Sequence, residues 1–415
     1  MGIPYLVASL VRSHRHIQQK CLPGTPLEVD CFGIDFNCFL HAYLQAENPV
    51  GSIVTALEEL VTTVVRAKRV YIAFDGMVPY AKMVQQRYRR MRRPEGEPFG
   101  FDKHQLSPGT PFMKDLADTL RFLYPHITIS DTLEPGEGEH KIFTWLRTIP
   151  EQERQSTIIY GLDADLIVIS LAQNWLSPNL KLLREQEKGE YQTLSITGLK
   201  DVLPCPVDDF VKMSLQFGND FMPNLAMFSL REDGYSRALF HLRKAPTPLD
   251  EKRVILKRAK ETDRHIVAPD GLALEPRIAC HLMDGVVNWE PVCYAYWKTW
   301  HWVYHYFTTS EVLDWMWTYP YPEAPLVSTL GDYDRPETFA WEHPVPPFSV
   351  TDQLQFILPE ESLRATGLVP KYPDELYTEA TESRHPWLKR FAWECDPFVS
   401  LPLGPLTAVS EIQLT

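Results

Sequence analysis

Five short apolar runs of strand length recur in the first 240 residues: Leu27 to Phe36, Val70 to Phe74, Ile127 to Ser130, Thr157 to Gly161 and Leu180 to Arg184. Between them, Ile53 to Arg66, Pro111 to Tyr124, Glu139 to Leu146 and Ala164 to Gln173 carry apolar positions at helical spacing. That alternation predicts an α/β fold, a mainly parallel sheet flanked by helices, with ligands at the carboxyl ends of the strands. Past residue 290, only Tyr294 to Phe307 reads as a helix, and the Pro-rich remainder reads as mostly irregular.

The pattern also places acids. Asp35 ends Cys31-Phe-Gly-Ile34, Asp75 follows Val70-Tyr-Ile-Ala-Phe74, and Asp163 follows Ile158-Ile-Tyr-Gly-Leu162, with Asp165 two residues on. One aspartate after a strand is an ordinary helix cap. Three at equivalent ends of neighbouring parallel strands converge on one sheet edge. Glu137 and Glu139 lie in Pro135-Gly-Glu-Gly-Glu-His140, where the glycines let both face one site, and Asp220 lies in Phe217-Gly-Asn-Asp-Phe221. An all-carboxylate set suits hard cations, Mg²⁺ or Mn²⁺ rather than zinc. Two such ions about 3.5–4 Å apart would serve phosphodiester hydrolysis.

Composition changes the picture in one respect. The 415 residues are 44% hydrophobic and 23% charged, so a disordered or fibrous chain is excluded. No apolar run approaches the ~20 residues that span a bilayer. The net charge of −13 argues at first against a polyanionic partner. Divided by region, however, residues 291–415 hold 17 acids and 7 bases, and the first 290 hold 37 and 34. The acidity is concentrated in the second part, which also holds 8 of the 11 tryptophans. Three stretches follow: 1–240 as the core, 241–290 as a connecting segment, and 291–415 as an acidic, Trp- and Pro-rich second segment. Seven cysteines without a Cys-x-x-Cys pair fit a reducing compartment, and nothing at the N-terminus reads as a targeting signal.

Against the acidic total stands a basic stretch. Lys82, Arg87, Arg89, Arg90, Arg92 and Arg93 fall within twelve residues that hold no acid. Lys82, Gln86 and Arg89/Arg90 share one helix face at i, i+4 and i+7/i+8, close after Asp75, where guanidinium forks can hold a phosphate. A phosphate-bearing partner is expected to enter along this helix and to avoid the acidic exterior. His301-x-x-x-His305 has metal-ligand spacing, but its many aromatic neighbours mark it as packing.

Several ordered motifs resemble the 5′→3′ exoribonucleases of the Xrn family. They are Met1-Gly-Ile-Pro4, Asp35-Phe-Asn37 with His41, and Phe74-Asp-Gly-Met-Val-Pro-Tyr-Ala-Lys-Met-Val-Gln-Gln-Arg87. Pro108 to Met113, Pro135 to Ile142, Tyr160 to Leu166, Leu183-Arg-Glu185 and Gly218 to Pro223 join them. Asp314 to Tyr321, Gln353 to Pro359 and Phe391 to Glu394 follow more loosely.

The resemblance implies a PIN/flap-nuclease-like core on which the C-terminal segment packs. It further implies a processive, two-metal exoribonuclease (Mg²⁺ or Mn²⁺) acting on single-stranded RNA with a 5′-monophosphate. Asp35, Asp75, Glu137, Glu139, Asp163, Asp165 and Asp220 match the family's acidic metal residues. Lys82, Gln86, Arg89 and Arg90 match its 5′-monophosphate pocket, and His41 and Trp317 its base-stacking pair, with Trp315 as the alternative. A cytoplasmic monomer is expected, working alongside decapping machinery and without a membrane. Cys38, Tyr80 and Val84 depart from the family pattern, and Tyr80 in place of an arginine is expected to lower the positive potential along the RNA path. The short chain reads as a compact member, cellular or viral, without accessory C-terminal domains. The competing readings are a structure-specific 5′ flap endonuclease on DNA and a catalytically silent RNA-binding scaffold.

Overall fold

In the computed structural model, the described residues are 14–91, 101–161, 163–187, 189–228, 230, 233–242, 244, 250, 251, 254, 289–321, 324–372 and 377, with Ile3, Leu6 and Leu10. Arg92, Arg93, most of Met1–Pro4, most of 241–290 and the block Phe391–Glu394 lie outside them.

The chain enters through β1 (Gln18–Lys20) and β2 (Leu27–Asp35), turns through α1 (Phe36–Leu40) and α2 (Pro49–Glu59), and returns along β3 (Val65–Ala73). Helices α3 (Tyr80–Met91) and α4 (Pro111–Leu123) lead to β4 (Thr128–Ser130), α5 (Gly138–Thr148), β5 (Ser156–Tyr160) and α6 (Asp165–Ala172). The hairpin β6 (Asn179–Glu187) and β7 (Glu190–Ser195) follows, then α7 (Ile196–Val202), α8 (Val207–Ser214) and α9 (Gly234–His241). The second part contributes α10 (Glu290–Thr309), α11 (Val327–Asp332), α12 (Val350–Ile357) and α13 (Glu360–Ala365).

The seven strands form one sheet in the order β1-β7-β6-β5-β2-β3-β4. Strands β6, β5, β2, β3 and β4 run parallel, and the hairpin partner β7 and then β1 add antiparallel. The predicted mainly parallel α/β sheet is thus present. Successive residues of β2 and β3 feed opposite faces, as strand geometry requires. Cys31, Tyr71 and Ala73 join the cluster under α5, α6 and α10, whereas Phe32, Ile34 and Ile72 join the one under α1, α2 and α4. Helix α5 lies so close to β2 that a Cβ on Gly33 would stand 2.4 Å from Ile142 Cγ2. That approach brings the α5 N-terminus over the strand ends.

Three expectations change. The helix predicted over Ile53–Arg66 ends at Glu59, passes through a wide turn at Leu60–Val64, and gives way to strand at Val65. Pairing of Leu27–Cys31 with Val65–Arg69 overrides the local helical pattern. The region after 310 is more ordered than its prolines suggest, because Ser349 and Asp352 form a capping box that starts α12. Finally, Tyr80 does not line a path. It is buried against Phe356 (5.4 Å between centroids) in the α3–α12 cluster, so its replacement of an arginine is a packing exchange.

That cluster joins the two parts of the chain. Gln353 Oε1 accepts from Val78 N at 2.9 Å, and the buried Arg87 donates to the Phe356 carbonyl across its ring. Arg87 therefore anchors the basic helix, while Arg89 is exposed and Arg90 is half-buried, its guanidinium lowered to about 10 by burial and by Arg89. Among the described residues, no helix is long and apolar enough to cross a membrane.

Candidate metal centre and nucleic-acid interface

Strands β5, β2 and β3 are neighbours in the sheet, with Asp35 opposite Ala73 and Ile34 opposite Tyr160. Their carboxyl ends therefore deliver Asp163, Asp35 and Asp75 to one edge. Asp35 caps α1 by accepting from Cys38 N at 3.3 Å. Asp75 is held at both ends: its N–H donates to Asn37 Oδ1 (3.1 Å), and its Oδ1 accepts from Gly138 N (2.8 Å). The α5 N-terminus supplies Glu137 and Glu139, where the helix dipole favours negative charge.

Asp35, Asp75 and Glu139 each bring a carboxylate oxygen within 4.8 Å of the other two. Burial is the first cause pushing the Asp35 carboxyl up to about 7, followed by Asp75, with Asp163 adding to it. Burial, Glu137 and Asp35 raise Glu139 well above the carboxylate range. Asp165, in the first turn of α6, is likewise pushed to about 7 by burial, Asp220 and Asp163, and its buried Oδ1 has no hydrogen-bond partner. Buried carboxylates that repel one another and lack partners are costly unless a cation joins them. The residues present therefore fit a divalent cation held by oxygen ligands.

Lys82 supplies part of that counter-charge. Its Nζ lies 2.6 Å from Glu137 Oε2 and 2.8 Å from Asp220 Oδ2. Burial works against the ammonium, but Asp220, Glu137 and Glu139 outweigh it and raise its pKa well above normal. This differs from the expected role of Lys82 beside the arginines. The shared helix face is real, but at 1.5 Å per residue it spreads Lys82 and Arg89/Arg90 about 10–12 Å along the axis. Lys82 sits at the carboxylate end. Gln86 is one turn on, buried, with Oε1 lacking a partner. Arg89 is exposed at the far end, and Arg90 donates from Nε to Ser107 Oγ at 3.1 Å.

His41, at the C-terminus of α1, stands at the same mouth. Partial desolvation and then the charges of Arg89 and Lys103 lower its pKa, while Asp163 and Asp75 act in the opposite sense. Trp317 is held from the second segment. Its indole donates to Thr299 Oγ1 (3.0 Å), and Lys298 Nζ lies 4.2 Å from its ring centroid, so it is tied to α10. Trp315 is buried in the α3–α12 cluster and offers no face for stacking. His301 packs near Trp300 and Phe339 rather than in a metal site.

Two supporting groups were not singled out from the sequence. Lys141 Nζ donates to the carbonyls of Phe74 (2.9 Å) and Asp131 (2.8 Å), which fixes the chain just before Asp75. The hydroxyl of Tyr306, on α10, donates to Glu137 Oε1 at 3.0 Å. Lys141 lay within a quoted motif, but its partners are backbone atoms that no motif shows. Tyr306 lay in an aromatic run read as packing.

The loop carrying Asp75 leaves no spare room. Gly76 N donates to Gly136 O (2.9 Å), and a Cβ on Gly76 would stand 1.8 Å from the Glu134 carbonyl oxygen. Gly76→Ala is therefore expected to cost about 1–3 kcal/mol in denaturant unfolding, since backbone must move. It should also impair the metal centre.

With this geometry in view, residues 1–98 and 95–186 match the family described as XRN 5'-3' exonuclease N-terminus. The first 186 of the 415 residues are thus similar to the N-terminal region of that family. The chain's relatives include 5'-3' exoribonuclease 1 of Saccharomyces cerevisiae, 30% identical over 312 residues, covering 57% of this chain and 20% of that protein. For 5'-3' exoribonuclease 2 of Candida glabrata the values are 28% over 348 residues, 56% and 34%. For 5'-3' exoribonuclease 1 of Schizosaccharomyces pombe they are 29% over 331 residues, 61% and 25%. The chain thus spans a fifth to about a third of the length of these relatives. Among solved structures, the catalytic core of Rad2 in complex with DNA substrate is similar at a TM-score of 0.40 and 14% identity. That likeness covers 90% of this chain and 98% of the other.

Proposed function

We propose that this chain is a member of the XRN family and a divalent-metal-dependent, processive 5′→3′ exoribonuclease acting on single-stranded, 5′-monophosphorylated RNA. The observation that carries the reading is the meeting of Asp35, Asp75 and Glu139 at the edge of three adjacent parallel strands, at the foot of a helix that bears Arg89 and Arg90. The relatives named as 5'-3' exoribonucleases support it. Asp35, Asp75 and Glu139 would hold one Mg²⁺ or Mn²⁺, and Asp163, Asp165 and Asp220 a second. Bound there, the cations supply a water of lowered pKa and charge for the attacking and leaving oxygens.

The chain's own groups do the rest. Arg89 and Arg90 receive the terminal phosphate, and the unpaired Gln86 Oε1 can accept a hydrogen bond from its monoprotonated form. His41 offers a ring at the mouth for the first base, and Trp317 remains the candidate for a second stacking surface. Stacking is indifferent to sequence and suits successive nucleotides. Lys82, fixed by Glu137 and Asp220, carries positive charge toward the scissile phosphate. The monomeric state, the cytoplasmic setting and a working link to decapping machinery belong to the same proposal, as does the division into 1–240, 241–290 and 291–415.

Arg89→Ala tests the end selection. Losing charged hydrogen bonds to phosphate costs about 1.5–3 kcal/mol. The preference for 5′-monophosphate over 5′-hydroxyl RNA should therefore fall roughly ten- to a hundredfold. Single-turnover rates on the two substrates measure it. An unchanged ratio would remove Arg89 from the pocket, and efficient cutting of branched DNA instead would favour the flap endonuclease.

A further inference from the structure

Tyr306 comes from the second segment, 169 residues from Glu137 in sequence, yet its hydroxyl reaches that carboxylate beside the cluster. Its ring is held on several sides. The His140 ring stacks on it at 3.6 Å with 20° between planes, Trp302 lies at 5.2 Å, and Phe221 meets it edge-on at 5.9 Å. The clamp continues into the end of α10. His140 Nδ1 lies 3.1 Å from Ser310 Oγ, and Gln173 Nε2 donates to the same oxygen (3.0 Å) and to Phe307 O (2.9 Å). Burial keeps His140 neutral, with its pKa well below normal, so the stack holds no charge next to Lys82. Burial, with Glu137 adding to it, keeps the Tyr306 phenol protonated, so it remains a donor.

Glu137 thereby has both oxygens committed, Oε1 to Tyr306 and Oε2 to Lys82. Lys82 in turn holds Asp220. A carboxylate with one oxygen pinned presents the other in a fixed direction, and fixed direction is what a cation site requires of its surroundings.

We propose that Tyr306 is a positioning residue of the metal centre: its hydroxyl orients Glu137, and through Glu137 the Lys82–Asp220 pair, so that cation binding by the first segment depends on α10 of the second. The inference rests on the metal-centre reading above and adds to it the group that sets its affinity. It also gives the aromatic helix a task beyond packing.

The test is Mn²⁺ binding to the full chain by isothermal titration, with no RNA present. Tyr306→Phe keeps the ring and removes the one hydroxyl. Groups that orient metal ligands are worth about 10–100-fold in affinity, so Mn²⁺ should bind at least about tenfold more weakly with unchanged stoichiometry. Tyr304→Phe is the control. Its hydroxyl, two residues away on the same helix, bonds Asp208 at the surface, and its loss should leave Mn²⁺ affinity at the wild-type value. Ser310→Ala, which releases His140 without touching Tyr306, should weaken binding a few-fold and decides the matter if Tyr306→Phe does not fold. Wild-type affinity in Ser310→Ala and in a folded Tyr306→Phe overturns the inference alone. Failure of the wild-type chain to bind Mn²⁺ overturns the metal-centre reading and this inference with it.

Discussion

Asp35→Asn should abolish RNA cleavage and, in the absence of divalent cation, make the protein more stable. The two effects have one cause. Asp35 is buried beside Asp75, close to Asp163, and its carboxyl is pushed to about 7, so its charge is expensive at neutral pH until a cation shares it. Asn is nearly the same size, still caps α1 by accepting from Cys38 N, and carries no charge. It also cannot act as an anionic ligand. Groups that merely orient ligands cost 10–100-fold when lost, so losing a ligand itself should cost more than about 100-fold in rate. The gain in metal-free stability at pH 7.5 should be at least about 1.4 kcal/mol, the worth of one pKa unit. Denaturant melts in chelator and single-turnover assays in Mg²⁺ measure the two sides. A variant that cleaves within tenfold of wild type, or that is less stable than wild type without metal, would remove Asp35 from the cluster.

Stability of the metal-free chain should fall as pH rises from 6.5 to 7.5. The sign follows from proton counting. Asp35 and Asp165 titrate near 7 in the folded protein and near 3.8 as unperturbed groups. Across this window the native state therefore binds more protons than the unfolded one, and each unit of pH removes stability. Opposing groups only partly offset this. The buried His140, with its pKa depressed, adds stability with rising pH, an effect that fades through the window as the unfolded imidazole loses its proton, and the more modestly lowered His41, His301 and His305 act in the same sense. Lys141, lowered to about 8 by burial, does so mainly above that value. Asp30, lowered to about 2 by Lys68, has finished titrating well before the window. Adding Mg²⁺ should flatten the fall, because the cation binds the ionised carboxylates and stabilises the state that repulsion otherwise penalises. Melting temperatures at pH 6.5 and 7.5, each with chelator and with Mg²⁺, measure the effect. A flat metal-free profile would mean that the carboxylates do not repel one another in the folded chain.

The legible part of this site was the part set by strand ends. Each of Asp35, Asp75 and Asp163 follows an apolar run, and parallel register turns that local fact into convergence. Lys82 was legible as a residue but not as a position, because a shared helical face does not say how far along the axis each side chain acts. Tyr306 was illegible for a different reason. In Trp300-His-Trp-Val-Tyr-His-Tyr306 every second residue is a Trp or Tyr, so no periodicity marks the hydroxyl that reaches Glu137. Only the packing of α10 against α5 and α6 selects it. Likewise α12 is eight residues between prolines, and its helix is carried by the Ser349–Asp352 cap and by contacts with Arg87 and Val78, none of which composition reveals.

The central assignment is tested most directly by incubating the purified chain with three otherwise identical 3′-labelled RNAs bearing a 5′-monophosphate, a 5′-triphosphate or a 5′-hydroxyl, with Mg²⁺ and with chelator. The expected result is loss of the 5′-monophosphate RNA alone, in Mg²⁺ alone, without long intermediates. Equal digestion of all three, or digestion that persists in chelator, would contradict it.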